Sequence, residues 1–595
     1  MMRNNKLSLA HASKVIAVSK HILDGTPHSN EPRANALRLI LKFRRTAAPL
    51  LTGLIVLSAA QQVLAFQPGV AKPISDVELR QRIVRAMRDG CAYLKARQQG
   101  DGSWVAGPGA RVGETPIGHT SIAILALINN DYPVDSEPIK RGLKYLRSLP
   151  PNQPGDDKAV YEASLMIMAL CAVDDMRMDR DRITRLVRVM EATQSKDHNS
   201  SGMWGYRLVG RGIKRPGSNS EDNSNSQFAI LALRDAAYVG IQVDQDVWKR
   251  AHKHWIDAQL PNGAWSYKND QREARGSMTA AGLSTLAITS RMLQEDKDVD
   301  QQGKPDCCVP HPPAEAFEKG RHWLGQNNVF SVNANPGNPN WHYYYLYGLE
   351  RAGRLGNVRF FGKYDWYRAG ARYLVAAQEG DGSWNDRSTP APTLSTAFAL
   401  LFLSKGLSRV VVNKLDYISA SEKEEVEGDW NRHPLDVPNL IEKVDGLDGW
   451  PPRLTSQVLA LKRLTEDNAV SDMNQAPVLY ISGKDATQLT DQHVKWIREY
   501  IDEGGFVFAV ANCEGGSFDT GFRELVERMF PDGDASLQRL QSDHPVYRSE
   551  YAFPNAEAVE LYGVDFGCRT AIIYSPEDLG CLWQKWMKFD PPGRN

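Results

Sequence analysis

The heptapeptide QQGDGSW at residues 98–104 returns almost unchanged as QEGDGSW at 378–384. A catalytic loop written twice would need two active sites, whereas structural punctuation would need further copies in between. Such copies exist. QLPNGAW at 259–265 keeps the same step from Gln to Trp, and a longer version runs from Gln194 to Trp204. Amphipathic stretches lead into these phrases, as in GCAYLKARQ from 90, AHKHWIDAQ from 251 and GARYLVAAQ from 370, while GLKYLRSLP from 142 and GRHWLGQ from 320 begin alike and lose the tail. Each beginning is followed by a second, more apolar stretch rich in small residues: GHTSIAILALI from 118, VYEASLMIMALCAV from 160, NSQFAILALRDAAYVG from 225, MTAAGLSTLAITSRM from 278, WHYYYLYGLERAG from 341 and PTLSTAFALLFLSKG from 392. A helix with one apolar stripe covers a core, and a helix apolar all round lies inside one. Recurring helix pairs make an open solenoid or a closed ring. An open array needs polar capping repeats, so uniformly apolar second helices argue for closure into an α/α toroid, an α6–α6 barrel. Asp-Gly then makes the turn after each outer helix, Gln bridges to backbone there, and Trp packs on the next repeat. Closure brings Trp104 and Trp384 near each other.

The Gly-x-x-Tyr-Leu-x-x-x-Gln-x-x-x-Gly-x-Trp pattern resembles the prenyltransferase and squalene oxidase (QW-type) repeat of terpenoid cyclases and protein prenyltransferases, over about residues 80–410. The resemblance implies a toroid whose inner helices line a central cavity. A cyclase of this kind carries a DxDD acid motif, which the chain lacks; Asp174-Asp175 with Asp179 in VDDMRMD reads as a solvated loop. A protein prenyltransferase holds zinc through an Asp-x-Cys pair and a distant His, matched in spacing by Asp306, Cys308 and His342. KPDCCVPHPP is a Pro-rich loop with His311 as a rival ligand, so ordinary loop thiols are the other reading, and no cofactor is expected beyond this zinc alternative. In the tyrosine-rich line, Trp341, Tyr344, Tyr347 and Arg351, together with His119 and Tyr161, are candidates to line a cavity for an apolar or sugar-like ligand. The same rings equally fill a barrel with their polar tips paired.

The chain carries 71 basic and 71 acidic residues, and this zero balance gives no reason to expect nucleic acid as a partner. Residues 1–45 are basic and precede the apolar run AAPLLTGLIVLSAA at 47–60, the order of a signal sequence; Val63-Leu64-Ala65 offers a cleavage site, and extension to Ala71 offers a membrane anchor. Residues 1–66 are therefore expected to export the chain or to tie it to a membrane, with the rest outside the cytoplasm. Seven irregularly spaced cysteines argue against a disulfide framework.

After residue 412 the pattern breaks. Residues 413–475 read as a connector, and 476–595 as an α/β domain: APVLYISG and FVFAVA are buried strands, TDQHVKWIREYIDEGG and FDTGFRELVERMF are helices, and TAIIYS adds a strand. VLYISG, EGGFVF, FDTGFRELVERMFP, DHPVY and RTAIIYSPEDLG resemble a bacterial domain of unknown function with a glutamine-amidotransferase-like fold, over about 395–583, and the resemblance implies further elements past Asn595. Cys513 follows the second strand where a helix N-terminus lowers a thiol pKa. Cys513, His544 and Glu550 are thus the candidates for a cysteine hydrolase, against a structural Cys in NCEGG, which is no Gly-x-Cys-x-Gly elbow.

Together these readings give an exported toroid plus α/β protein that acts as a binding or assembly scaffold for an apolar or protein ligand. The alternatives are a toroid enzyme on an isoprenoid or other apolar substrate, and a cysteine hydrolase.

Overall fold

The computed structural model describes residues 76–584 except 106–115, 151–157, 210–220, 294–314, 327, 387–390, 405–408, 418–428, 446, 448, 452–453, 514–515, 532, 534 and 550–558. Residues Arg80–Asn595 form one compact unit that contains both a helical part and a sheet.

The helical part consists of α1 (Asp76–Ala96), α2 (Pro116–Ile128), α3 (Glu137–Ser148), α4 (Ala159–Val173), α5 (Met176–Thr193), α6 (Asn223–Tyr238), α7 (Gln245–Asp257), α8 (Gly276–Met292), α9 (Glu315–Leu324), α10 (His342–Leu355), α11 (Trp366–Ala377) and α12 (Pro392–Leu403). Odd and even helices differ as their sequences require. In α3 only the stripe Ile139, Gly142, Leu143 and Leu146 is buried, whereas α4 buries nearly its whole length. The even helices pack in succession, α2 on α4, α4 on α6, and so on to α12, which packs back on α2. The contact ring is closed.

The repeated phrase is what joins the outer helices. At all four copies the Gln side-chain amide donates twice, once within its own turn and once to the next outer helix: Gln98 to Gly102 and Pro138, Gln194 to Gly202 and Val247, Gln259 to Gly263 and Ala316, Gln378 to Gly382 and Ala86. The last pair returns the chain to its first helix. Each Trp indole N–H donates to the outer helix before it, Trp104 to Leu94 and Trp384 to Leu374, and the rings of Trp104, Trp265 and Trp384 each occupy the notch left by a glycine on the next. A Cβ on Gly142 would lie 3.0 Å from Trp104 Cζ3, and one on Gly90 2.7 Å from Trp384 Cζ3. This explains the Gly that opens the Gly-x-x-Tyr-Leu stretches. The turn glycine is equally constrained: Gly382 has φ 86°, and a Cβ there would meet the Asp89 carbonyl oxygen at 2.5 Å.

Two joints lack the phrase and use other means. Between α3 and α5, Arg147 Nε donates to Asp179 Oδ1 at 2.9 Å and Arg182 caps the Arg147 and Leu149 carbonyls. Asp179 is only 1 % exposed, so the acidic segment expected to be solvated is in part a buried ion-pair anchor. Between α9 and α11, Gly325 lies against the backbone of Gly362, and Phe330 stacks on Tyr364 with centroids 4.4 Å apart.

The sheet has seven strands: β1 (Arg409–Asp416), β2 (Leu454–Ala460), β3 (Val478–Gly483), β4 (Phe506–Ala511), β5 (Gln538–Arg539), β6 (Tyr562–Phe566) and β7 (Arg569–Ser575). Their order is β2-β1-β3-β4-β7-β6-β5, parallel from β2 to β7 and antiparallel through β6 and β5. The stretch read as a connector thus supplies β1 and β2, and the sheet begins near 409, not 476. Both faces are covered, as the continuous apolar runs of β3 and β4 require. On one face lie α14 (Asp491–Asp502) and α15 (Phe518–Met529), on the other α13 (Asp436–Asp445) and α16 (Leu579–Gln584). Glu442 of α13 reaches the helical part, accepting from Arg291 of α8 at 3.1 Å, and the Arg463 guanidinium lies 4.2 Å from the Phe360 ring centroid.

Among the described residues no helix is long and apolar enough to cross a membrane. The run 47–60 lies outside them.

Candidate functional site

Parallel strands present their C-terminal ends as the usual place for ligands in open α/β sheets. Here that edge gathers polar residues that are buried or half-buried. His433 is fully buried, and its Nε2 lies 2.8 Å from Asp578 Oδ2. Asp578 sits just past the end of β7. Its Oδ2 also accepts from the Cys513 backbone N–H at 2.9 Å, and its Oδ1 from the Cys581 N–H at 2.9 Å. One carboxylate therefore ties the loop after β4, the start of α16 and the imidazole together.

Cys513 and Cys581 are disulfide-bonded. Cys513 has φ 61°, a left-handed conformation uncommon for a residue with a side chain. His433, Cys513 and Asp578 each bring one potential ligand atom to within 4.8 Å of the others. Gly580 closes over the group; a Cβ there would stand 3.0 Å from His433 Cδ2 and 3.4 Å from Asn512 Oδ1. The Asn512 amide is fully buried, with no hydrogen-bond partner among the described residues, and the same holds for His433 Nδ1.

A second buried pair underlies the cluster. Lys414 Nζ donates to the His433 carbonyl and to Asp436 Oδ1, both at 2.7 Å. Burial pulls the Lys414 ammonium below its ordinary range, and the Asp436 charge opposes that shift.

The other expected site residues fall elsewhere. Cys513 is not a free thiol, which corrects its reading as a nucleophile. His544 bonds to Thr570 at the N-terminal end of β7, the opposite end of the parallel sheet from Cys513. Glu550, Asp306 and Cys308 lie outside the described residues. His342 has both ring nitrogens engaged, Nε2 with the Val332 carbonyl at 2.8 Å and Nδ1 with the Tyr373 hydroxyl at 3.2 Å, and so does not suit a zinc ligand.

In the ring, Trp341 is 41 % exposed and starts α10 from a left-handed conformation, so it lines no interior. His119 is half-buried near the start of α2. Tyr161 and Tyr344 share the Ser224 hydroxyl, each at 2.6 Å, and Gln227 also donates to Tyr344. Phe228 meets Tyr344 and Tyr347 with centroids 6.2 Å apart, and Tyr347 meets Phe398 at 5.2 Å. Arg351 pairs with the buried Glu350 and lies 4.8 Å from the Tyr347 centroid. The rings of α4, α6, α10 and α12 thus meet one another.

Sequence reasoning found Cys513 but gave it the wrong partners. His433 stood in a supposed connector and Asp578 in a loop. The available signal was position, because Asn512, Cys513 and Asp578 all follow directly on apolar strands.

Residues 414–594 match a family model described as Domain of unknown function (DUF4159). No curated protein matches the chain. The chain is similar to the type II terpene cyclase MstE from Scytonema, at 16% identity and TM-score 0.36, covering 55% of this chain and 98% of that one. It is also similar to the GH76A alpha-1,6-mannanase from Salegentibacter sp. HEL1_6, at 8% identity and TM-score 0.40, covering 55% and 99%.

Proposed function

We propose that this chain is an exported binding or assembly scaffold. In this reading the helices form an α6–α6 barrel of the prenyltransferase and squalene oxidase repeat type, joined to a flavodoxin/amidotransferase-like domain whose C-terminal sheet edge faces the ligand or partner. The observation that carries the reading is that aromatics of three inner helices bury one another: Phe228 and Tyr347 are each 2 % exposed and Phe398 5 %, and Tyr347 meets both other rings. Rings that bury one another stabilise a barrel and leave their volume to no substrate. The disulfide suits an oxidising compartment outside the cytoplasm, where the basic, apolar N-terminal segment would release the chain or hold it at the membrane.

One observation favours a second reading, a toroid enzyme acting on an isoprenoid or other apolar substrate. Asp222, fully buried before α6, has its carboxyl pushed up to about 6 by burial, against hydrogen bonds from Asn225, and a carboxyl kept partly protonated is a general acid in waiting. Incubation of the purified chain with farnesyl diphosphate or squalene decides between them. The scaffold reading expects no product; turnover that disappears in Asp222→Asn overturns it.

A further inference from the structure

We infer that the C-terminal edge of the sheet is a divalent-metal site masked by oxidation: with the disulfide opened, Cys513, Cys581, His433 and Asp578 hold one zinc ion. Nothing in this inference depends on the scaffold reading.

Three of the four donors are already assembled. Zinc takes four ligands from thiolate, imidazole and carboxylate in a tetrahedron. The His433 ring, the Cys513 sulfur and an Asp578 oxygen lie within 4.8 Å of one another, a span that a shared ion draws in by small side-chain movements. Cys581, disulfide-bonded and anchored through its N–H to the same carboxylate as Cys513, supplies the second sulfur. The fixed parts of the site are backbone, since the Asp578 carboxylate orients both cysteines through their N–H groups whether or not the sulfurs are joined. Two observations argue against a site built only for a crosslink. A disulfide asks for no polar company, yet a fully buried imidazole and a fully buried Asn512 amide stand beside this one, and His433 Nδ1 and both amide atoms lack partners among the described residues. Lys414, held by Asp436 and donating to the His433 carbonyl, fixes the backbone of the segment that carries the imidazole.

The conversion balances with a dithiol as reductant. Its thiolate attacks one protein sulfur, giving a mixed disulfide and releasing the other cysteine. Its second thiol then closes on the first, so that the reductant leaves as a cyclic disulfide after passing two electrons to the protein. Two protein thiols result, and binding of the dication sends their two protons to solvent.

Cobalt(II) is the probe, because a sulfur-to-cobalt charge-transfer band reports thiolate ligation directly. The full chain carrying Cys307→Ser and Cys308→Ser, which removes the thiols of the Pro-rich loop, is reduced with a dithiol, freed of it without oxygen, and titrated. The inference expects one equivalent to give the charge-transfer band with the intense visible bands of tetrahedral cobalt. Zinc should abolish both, and should bind the reduced protein at least about a hundredfold more tightly than the oxidised. Cys581→Ser and His433→Gln should each weaken the cobalt spectrum. The oxidised protein, the same polypeptide still folded, should show no charge-transfer band, so the comparison survives a variant that fails to fold. An unchanged spectrum on reduction, or one that persists when Cys513 and Cys581 are both serine, overturns the inference.

Discussion

Single residues in this protein are constrained less by their own chemistry than by the backbone that approaches them. Gly382 and Gly380 stand in one turn, but a Cβ on Gly382 meets a carbonyl oxygen in a left-handed conformation, whereas one on Gly380 meets nothing within 4 Å. Gly382→Ala should therefore cost roughly 2–4 kcal/mol and Gly380→Ala close to nothing, as read by urea unfolding. Ionisation at the residue scale has a definite sign as well. The Asp222 carboxyl, raised from 3.8 to about 6 by burial, keeps in the folded state a proton that the unfolded chain releases, so its contribution is full below the lower value and is lost as pH rises through about 6. His254, lowered by burial from 6.5 to about 4, refuses a proton that the unfolded chain accepts, so its contribution is lost as pH falls through the same window. The two oppose each other. Relative to wild type, His254→Gln should gain stability on acidification from pH 7 to 4.5 and Asp222→Asn should lose it, each by about 1–3 kcal/mol. Parallel unfolding curves for the two variants would exclude this.

At the scale of elements, helix pairing was legible because two periodicities were written clearly: a stripe for each odd helix, and apolar character all round for each even one. The phrase joining them was legible too, down to Gln bridging to backbone and Trp packing on the next repeat. What escaped was every joint that does the same work with other residues. Arg147 and Asp179 lie 32 positions apart, and no local pattern reveals that a charge in VDDMRMD is buried under an arginine. β1 and β2 escaped for a related reason, since RVVVNKLD and LTSQVLA mix polar residues with apolar ones, and Lys414 and Asn413 turn inward to partners supplied by distant segments. The candidate site was half legible: Cys513 stood out after its strand, but His433 and Asp578 are joined to it only through the strand order. Arg147→Ala should cost about 3 kcal/mol by leaving the Asp179 carboxylate buried alone. Removing both partners should cost clearly less than the two single losses combined, and additive losses in thermal melts would show that the pair is not the joint.

Across the whole molecule, the ring and the sheet are joined by contacts that neither repeat nor strand pattern announces. Glu442 reaches from α13 to Arg291 and to the Tyr238 hydroxyl, at the ends of two inner helices. Glu442→Ala should speed amide exchange in the last turn of α8 while leaving β3 and β4 unaltered. Uniform protection would mean that this contact is not what holds the two parts together. The account rests above all on inner-helix aromatics that bury one another and leave their volume to no ligand, and Phe228→Ala tests that most directly. The truncation should cost about 3–5 kcal/mol and open an apolar cavity. Benzene should then raise the melting temperature of the variant while leaving wild type unmoved, as expected for a dry engineered cavity. If wild type is stabilised by benzene as strongly as the variant, the ring already holds open space for an apolar ligand, and the claim that its own aromatics occupy that space is wrong.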